Sequence, residues 1–129
     1  MAEGFPASTG DIFTAADYNG LVAFTVGAAQ TSDYTAVIAD AYQVVELMNK
    51  ATAIAYQIPT NASVAFPIGT VLTILNIGAG VCTISAVTSG TTTILSAGAV
   101  AAAPTLAQYK SAACIKTGTD TWYVVGAIG

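Results

Sequence analysis

The sequence predicts a mainly β fold, a small antiparallel β-sandwich or prism-like domain behind an N-terminal extended arm and a short helix. Three observations predict it. Runs rich in β-branched residues recur at short intervals from Tyr34 onward, with Gly, Pro, Asn and Asp between them. Helical periodicity is absent after Val26, apart from an ambiguous alanine-rich patch at 40–53. From Ala51 to Tyr109 there is no Asp, Glu, Lys or Arg, yet Thr, Ser and Asn recur throughout. Strands with apolar residues on both faces account for such a segment better than surface helices do.

Residues 1–13 read as an extended arm, because Gly4, Phe5-Pro6 and Ser8-Thr9-Gly10 leave little room for regular structure. Phe5 and Phe13 are apolar side chains that the arm must bury somewhere. Thr14 then has the character of a helix cap, with Asp17 three residues on, near the positive end of the helix dipole. Phe13 before the cap and Tyr18 after it have the spacing of a hydrophobic staple. Tyr18, Leu21 and Val22 share one helical face. Gly20 weakens the helix and Gly27 lies beyond its end, so about two to three turns are expected. The polar break Thr31-Ser32-Asp33 sets the expected boundary between an attachment element at 1–32 and a β-rich domain at 33–129.

Within that domain, strands are expected at 34–38 and 42–48, separated by a turn at Ala39-Asp40-Ala41. A third spans 52–58 and ends at Pro59-Thr60-Asn61. Segments 70–77 and 81–85 flank Gly78-Ala79-Gly80, which reads as a tight hairpin with glycine where φ > 0 is needed. Pro67 excludes a central-strand position for itself. A short strand follows at 91–95, and the small residues of 97–104 read as a loop. The last two strands, 109–116 and 121–125, are joined by Thr117-Gly118-Thr119-Asp120, a strong turn sequence.

A chain of 129 residues suits one domain with its own core. Charged residues make up 8% of it, against about 25% in an ordinary globular chain. A membrane or a large protein interface is the usual cause. No membrane helix is expected, because Pro59, Asn61, Pro67, Thr73, Asn76 and Thr83 interrupt every window of about 20 residues. The N-terminal Met-Ala-Glu-Gly-Phe-Pro has neither the basic region nor the apolar run of a signal peptide. Without one, the sequon Asn61-Ala62-Ser63 carries no weight. A net charge of −4 argues against nucleic acid, since Lys50, Lys110 and Lys116 are too few to track phosphates. Cys82 and Cys114 fall in apolar strands and read as two reduced core thiols rather than a disulfide. With no histidine, neither a metal nor any other cofactor is expected.

No catalytic constellation emerges, and the chain reads as non-enzymatic. Histidine, the usual general base, is missing. Glu3, Asp11, Asp17, Asp33, Asp40, Glu46 and Asp120 mostly occupy turns or the helix start. No serine sits in a nucleophile elbow, and a strand rather than a helix follows Gly78-Ala79-Gly80, which excludes a nucleotide loop. Tyr34, Tyr42, Tyr56, Tyr109, Trp122 and Tyr123 could form a glycan platform, but core and interface packing is the simpler role for them. Trp122 and Tyr123 alternate along one strand and face opposite ways. What remains is assembly. Val71-Leu72-Thr73-Ile74-Leu75 is apolar on both faces, and an obligate oligomer covers both. Phe66, Leu72, Ile74 and Trp122 are the candidate subunit-interface residues.

The succession Val45-Glu46-Leu47-Met48-Asn49, Asn61-Ala62-Ser63-Val64-Ala65-Phe66-Pro67-Ile68-Gly69-Thr70, Asn76-Ile77-Gly78-Ala79-Gly80, Tyr109-Lys110-Ser111-Ala112-Ala113 and Ile115-Lys116-Thr117-Gly118-Thr119-Asp120-Thr121-Trp122-Tyr123 resembles a β-rich domain recurrent in tailed-bacteriophage virion proteins. The resemblance covers residues 34–126, and the segment 14–21 resembles the short helical segment of phage fibres. It implies a non-enzymatic virion structural protein, commonly a homotrimer, assembled in the host bacterial cytoplasm. A short arm and one β domain suit a capsid decoration (cement) or head-fibre protein bound to the major capsid protein or other virion proteins. Phe5, Phe13, Thr14, Tyr18 and Leu21 are then the candidate attachment residues. The alternatives are a small tail-fibre or baseplate protein touching a host receptor, and a module binding a host surface glycan.

Overall fold

The computed structural model describes residues 14–15, 23–42, 44–100 and 102–129. The fold is mainly β, with eleven strands in two mixed sheets. The strands are β1 (Thr25–Val26), β2 (Tyr34–Thr35), β3 (Val44–Met48), β4 (Ile54–Ile58), β5 (Val71–Asn76), β6 (Cys82–Ala86), β7 (Thr93–Ser96), β8 (Ala99–Val100), β9 (Thr105–Leu106), β10 (Ser111–Gly118) and β11 (Thr121–Gly126). A short 3-10 helix, Ile38–Ala41, separates β2 from β3. The seven-stranded sheet has the order β1-β3-β5-β10-β11-β7-β8, and the four-stranded sheet β2-β4-β6-β9.

The expected antiparallel arrangement is corrected by this topology. From β1 to β6 each strand lies in the opposite sheet to the one before it and runs parallel to the one two before it. The chain therefore winds as a coil whose successive turns stack. Antiparallel pairs close it: β10 joins β5, β11 joins β10, and β9 joins β6. Strand β7 then runs parallel to β11.

Gly78-Ala79-Gly80 is accordingly not a hairpin. It is the corner between β5 in one sheet and β6 in the other. Gly80 donates its N–H to Lys50 O at 2.9 Å, and Ile77 donates to Met48 O at 2.9 Å. One turn earlier, Asn49 donates to Gln30 O at 2.8 Å. Corners stack backbone on backbone, and a Cβ at Gly78 or Gly80 would overlap the main chain at Lys50 or Thr52. Glycine serves close approach here, not positive φ. The true two-residue hairpin is Ala97-Gly98 between β7 and β8, with φ 51° and 83° and Ser96 opposite Ala99. Two central residues at positive φ match the twist of the flanking strands.

The expected boundary at 32/33 also moves. Thr25 and Val26 pair with Val44 and Val45, and Gln30 bridges Met48, so the sheet begins before the Thr31-Ser32-Asp33 break. An extended segment that adds parallel hydrogen bonds to an open edge belongs to the body whatever its polarity.

One core lies between the elements. Ile54, Tyr56, Ile58, Cys82, Ile84 and Leu106 come from the four-stranded sheet, and Met48, Leu72, Ile74, Ile94, Ala112, Cys114, Trp122 and Val124 from the seven-stranded sheet. Phe66 meets Trp122 edge-on, with ring centroids 5.6 Å apart. Such a pair adds about 1 kcal/mol to what area burial contributes.

Candidate functional site

The two sheets present opposite chemistry outward. On β4, β6 and β9 the residues alternating with the core are Ala55, Gln57, Thr83, Ser85 and Thr105, small or polar as a solvated sheet requires. On the seven-stranded sheet most are apolar, and Thr73, Thr93, Ser111, Thr117 and Thr121 are among the polar ones. Pairing register lines them into rows: Leu95, Tyr123, Ile115 and Val71 in one, and Val125, Ala113, Thr73 and Val45 in the next. Leu47 and Leu75 continue the surface. Val71, Tyr123 and Val125 are 43–49% exposed. Only two charged residues lie on these seven strands, Glu46 and Lys116, and both point into the core. The sheet has its charges inside and its hydrophobic residues outside, and a face of this size left to water is a liability.

The expected interface residues fall on the wrong side of these strands. Phe66, Leu72, Ile74 and Trp122 are at most 3% exposed within one chain, so a neighbouring copy cannot reach them. A sheet apolar on both faces gives no period-2 signal of which face is the core, and a choice off by one residue inverts every side chain. Trp122 and Tyr123 do face opposite ways, Trp122 inward and Tyr123 outward. Of the candidate attachment residues, Thr14 is exposed; Phe5, Phe13, Tyr18 and Leu21 lie outside the described residues.

A second feature is the cluster around Lys116. Ala112, Cys114 and Lys116 share the inward face of β10, so the lysine enters the core at 2% exposure. Its Nζ donates to Asn61 Oδ1 at 2.6 Å and to Phe66 O at 2.7 Å, and lies 5.9 Å from the centre of the Trp122 ring. Burial lowers the Lys116 pKa, and the charge of Asp120 opposes that shift. Asp120 Oδ1 accepts from the Asn61 N–H at 2.8 Å and from Thr92 Oγ1 at 3.3 Å, which fixes the asparagine loop against the β10–β11 turn. The inward position of Lys116 was legible in the alternation of Ala112, Cys114 and Lys116. Its partners, 55 and 50 residues away, were not.

A third cluster holds the two buried carboxyl groups. Asp40 Oδ2 accepts from Tyr34 Oη at 2.7 Å and from the Val37 N–H at 3.0 Å, capping the 3-10 helix. Gln30 Nε2 donates to Glu46 Oε1 at 3.0 Å. Burial raises the Glu46 pKa, and the neighbouring Asp40 reinforces the shift through its charge and a hydrogen bond. The hydrogen bond between these carboxyl groups puts them in contact, whereas a glycosidase pair is held about 5 Å or more apart around a sugar. The expected role of the acids in turns and caps holds for Asp40, which caps the 3-10 helix, and for Asp120 in the β10–β11 turn, while Asp33 accepts from the distant Ala55 N–H and Glu46 lies in mid-strand.

Cys82 and Cys114 are free and buried; burial pushes the Cys82 thiol up to about 11 and the Cys114 thiol higher still, so both stay protonated near neutrality. A shallow groove of about 380 Å³ beside the β7–β8 hairpin is lined by Ser96, Ala99, Ala102, Pro104, Thr105 and Ile128, with no titratable side chain. Among the described residues, no group of three or more Cys, Asp and Glu side chains is placed to hold a metal ion, and no helix is long and apolar enough to cross a membrane.

Comparison with known proteins adds no neighbour: no family model, no curated protein and no solved structure matches the chain.

Proposed function

We propose that this chain is a non-enzymatic structural subunit of a tailed-bacteriophage virion, a homotrimeric capsid decoration or head-fibre protein that reinforces the shell. The observation that carries the proposal is the outward face of the seven-stranded sheet, uncharged and mostly apolar across β3, β5, β10, β11 and β7. In this reading the two sheets form the sandwich of each subunit. The polar four-stranded sheet faces solvent, and the apolar sheet packs against neighbouring copies. The segment ahead of β1 seats the trimer on the major capsid protein through Phe5, Phe13, Thr14, Tyr18 and Leu21. The resemblance over residues 34–126 supports the virion setting. The test is position on the particle: labels directed at this chain are expected over the head surface, and labels confined to the tail end contradict decoration.

A second reading, a small tail-fibre or baseplate protein contacting a host receptor, is favoured by Tyr109. That side chain is 75% exposed on a backbone held at φ 63°, an uncommon conformation for a bulky residue. A strained, presented aromatic suits recognition of a surface glycan. Glycan binding that Tyr109→Ala abolishes would support it.

A further inference from the structure

We infer that Lys116 and Asn61 are built to join covalently: the lysine amine displaces ammonia from the asparagine carboxamide and leaves an amide bond across the core. Six observations converge on this pair. The groups are already in contact, with Nζ 2.6 Å from Oδ1, so the carboxamide carbon, one C=O bond further on, is about 3–4 Å from the amine. The second hydrogen bond, to Phe66 O, fixes the amine from the other side. The site is dry on the lysine side, where Phe66 and Trp122 wall the amine from solvent. Asn61 is only half-buried, which leaves the departing ammonia a way out. Desolvation favours the neutral, nucleophilic amine over the ammonium. A carboxylate stands near to carry protons: the charge of Asp120 acts on the lysine from beyond direct contact, and its Oδ1 accepts the backbone N–H of Asn61.

The step balances without an oxidant, a reductant or a cofactor. The ammonium gives one proton to Asp120, which frees the Nζ lone pair. That pair forms the Nζ–Cγ bond and displaces the carbonyl π electrons onto Oδ1. As they return, the Cγ–Nδ2 bond breaks, and Nδ2 leaves as ammonia with the second Nζ proton, relayed by Asp120. The ammonia takes up the first proton in turn. The products are one secondary amide and one ammonium ion, with Asp120 back in its starting state. The bond closes a loop between residues 55 apart, pinning the segment after β4 to the inward face of β10. With both cysteines free, it would be a covalent staple that needs no oxidising compartment.

Intact mass of the purified full chain tests this directly. The folded protein is expected to be lighter than its sequence by one ammonia, and proteolysis is expected to release a branched peptide joining the segments around 61 and 116. Lys116→Met and Asn61→Ala are each expected to show the unmodified mass of their own sequence. Asn61→Asp is expected to lose water instead and reach the same final mass as the native chain. Asp120→Ala is expected to slow the conversion by about a hundredfold or more, the usual contribution of a positioned acid–base group. A native chain with a folded circular dichroism spectrum that keeps its full sequence mass after prolonged incubation at neutral to mildly alkaline pH would overturn the inference. So would an ammonia loss with no branched peptide, which marks cyclisation of an asparagine onto its own backbone as a succinimide. Both outcomes are read on the native protein, so the folding of the variants does not decide the matter.

Discussion

Asn76 sits fully buried where β5 ends, and its carboxamide satisfies three backbone groups: Nδ2 donates to Gly80 O and Leu106 O, each at 2.9 Å, and Oδ1 accepts from the Gly78 N–H at 3.1 Å. Asn76→Ala leaves all three unpaired in the core, and the expected loss is about 3 kcal/mol, read from the denaturant midpoint. Glu46 sets a pH dependence of definite sign. Burial raises its folded pKa above the ordinary value of 4.5, so the fold binds a proton that the unfolded chain has already released. That contribution is fully present below the unfolded value and is lost as pH rises through the raised folded one. The melting temperature is therefore expected to be higher at about pH 5 than at neutrality, and Glu46→Gln to flatten the difference. A melting temperature that rises from mild acid to neutrality in the native chain and not in the variant would contradict this. The partners of Asp33 and Asp120, at Ala55 and Asn61, lie far off in the chain, but the cap role of Asp40 and the turn position of Asp120 could be read from their neighbours in sequence. Glu46 could not, because its environment depends on Gln30 and on Asp40 from the 3-10 helix, which only the coil brings together.

Among the elements, strand positions were legible and strand partners were not. The segments read as strands at 42–48, 52–58, 70–77, 81–85, 91–95, 109–116 and 121–125 contain or overlap β3, β4, β5, β6, β7, β10 and β11. Each is a β-branched run bounded by turn residues, and that information is local. Pairing is not local. Gly78-Ala79-Gly80 has the composition of a hairpin, yet its glycines answer to Lys50 and Thr52 one turn below. The two-residue strands β1, β2, β8 and β9 are too short to show any period, and each is held by the hydrogen bonds of a longer neighbour. Gly80→Ala should therefore act as a packing lesion. It forces the two corners apart, with an expected cost of about 2 kcal/mol or more in chemical denaturation. Ala97 offers the opposite change. An L-residue pays about 1 kcal/mol for its left-handed conformation, and Ala97→Gly or Ala97→Asn is expected to recover part of that as a higher melting temperature. An unchanged or lower value would mean that the β7–β8 hairpin is not held as described.

For the whole molecule, the long uncharged stretch has a physical meaning that its composition alone left open. It runs through both sheets, but it leaves one of them polar outside and the other apolar outside. The apolar sheet also draws its two charged residues inward, Lys116 to Asn61 and Glu46 to Gln30, so no charge interrupts its outer rows. Sequence reasoning reached the need for a covered face through the two-sided pattern of β5, and then named the inner residues Leu72 and Ile74 where the outer ones, Val71, Thr73 and Leu75, do the presenting. Only the volume of Trp122 and the meeting of Phe66 with it decide which side closes into a core. The central claim is that the outer face of the seven-stranded sheet joins copies of this chain. Sedimentation of the full chain, native and with Val71→Lys and Tyr123→Lys, tests it most directly. Both substituted positions are exposed in the single chain, so each variant is expected to keep its fold within about 0.5 kcal/mol if nothing covers them. The native chain is expected to persist as a trimer at micromolar concentration, and the variants to sediment as folded monomers. A native chain that sediments as a monomer, or variants that remain trimeric, would contradict it.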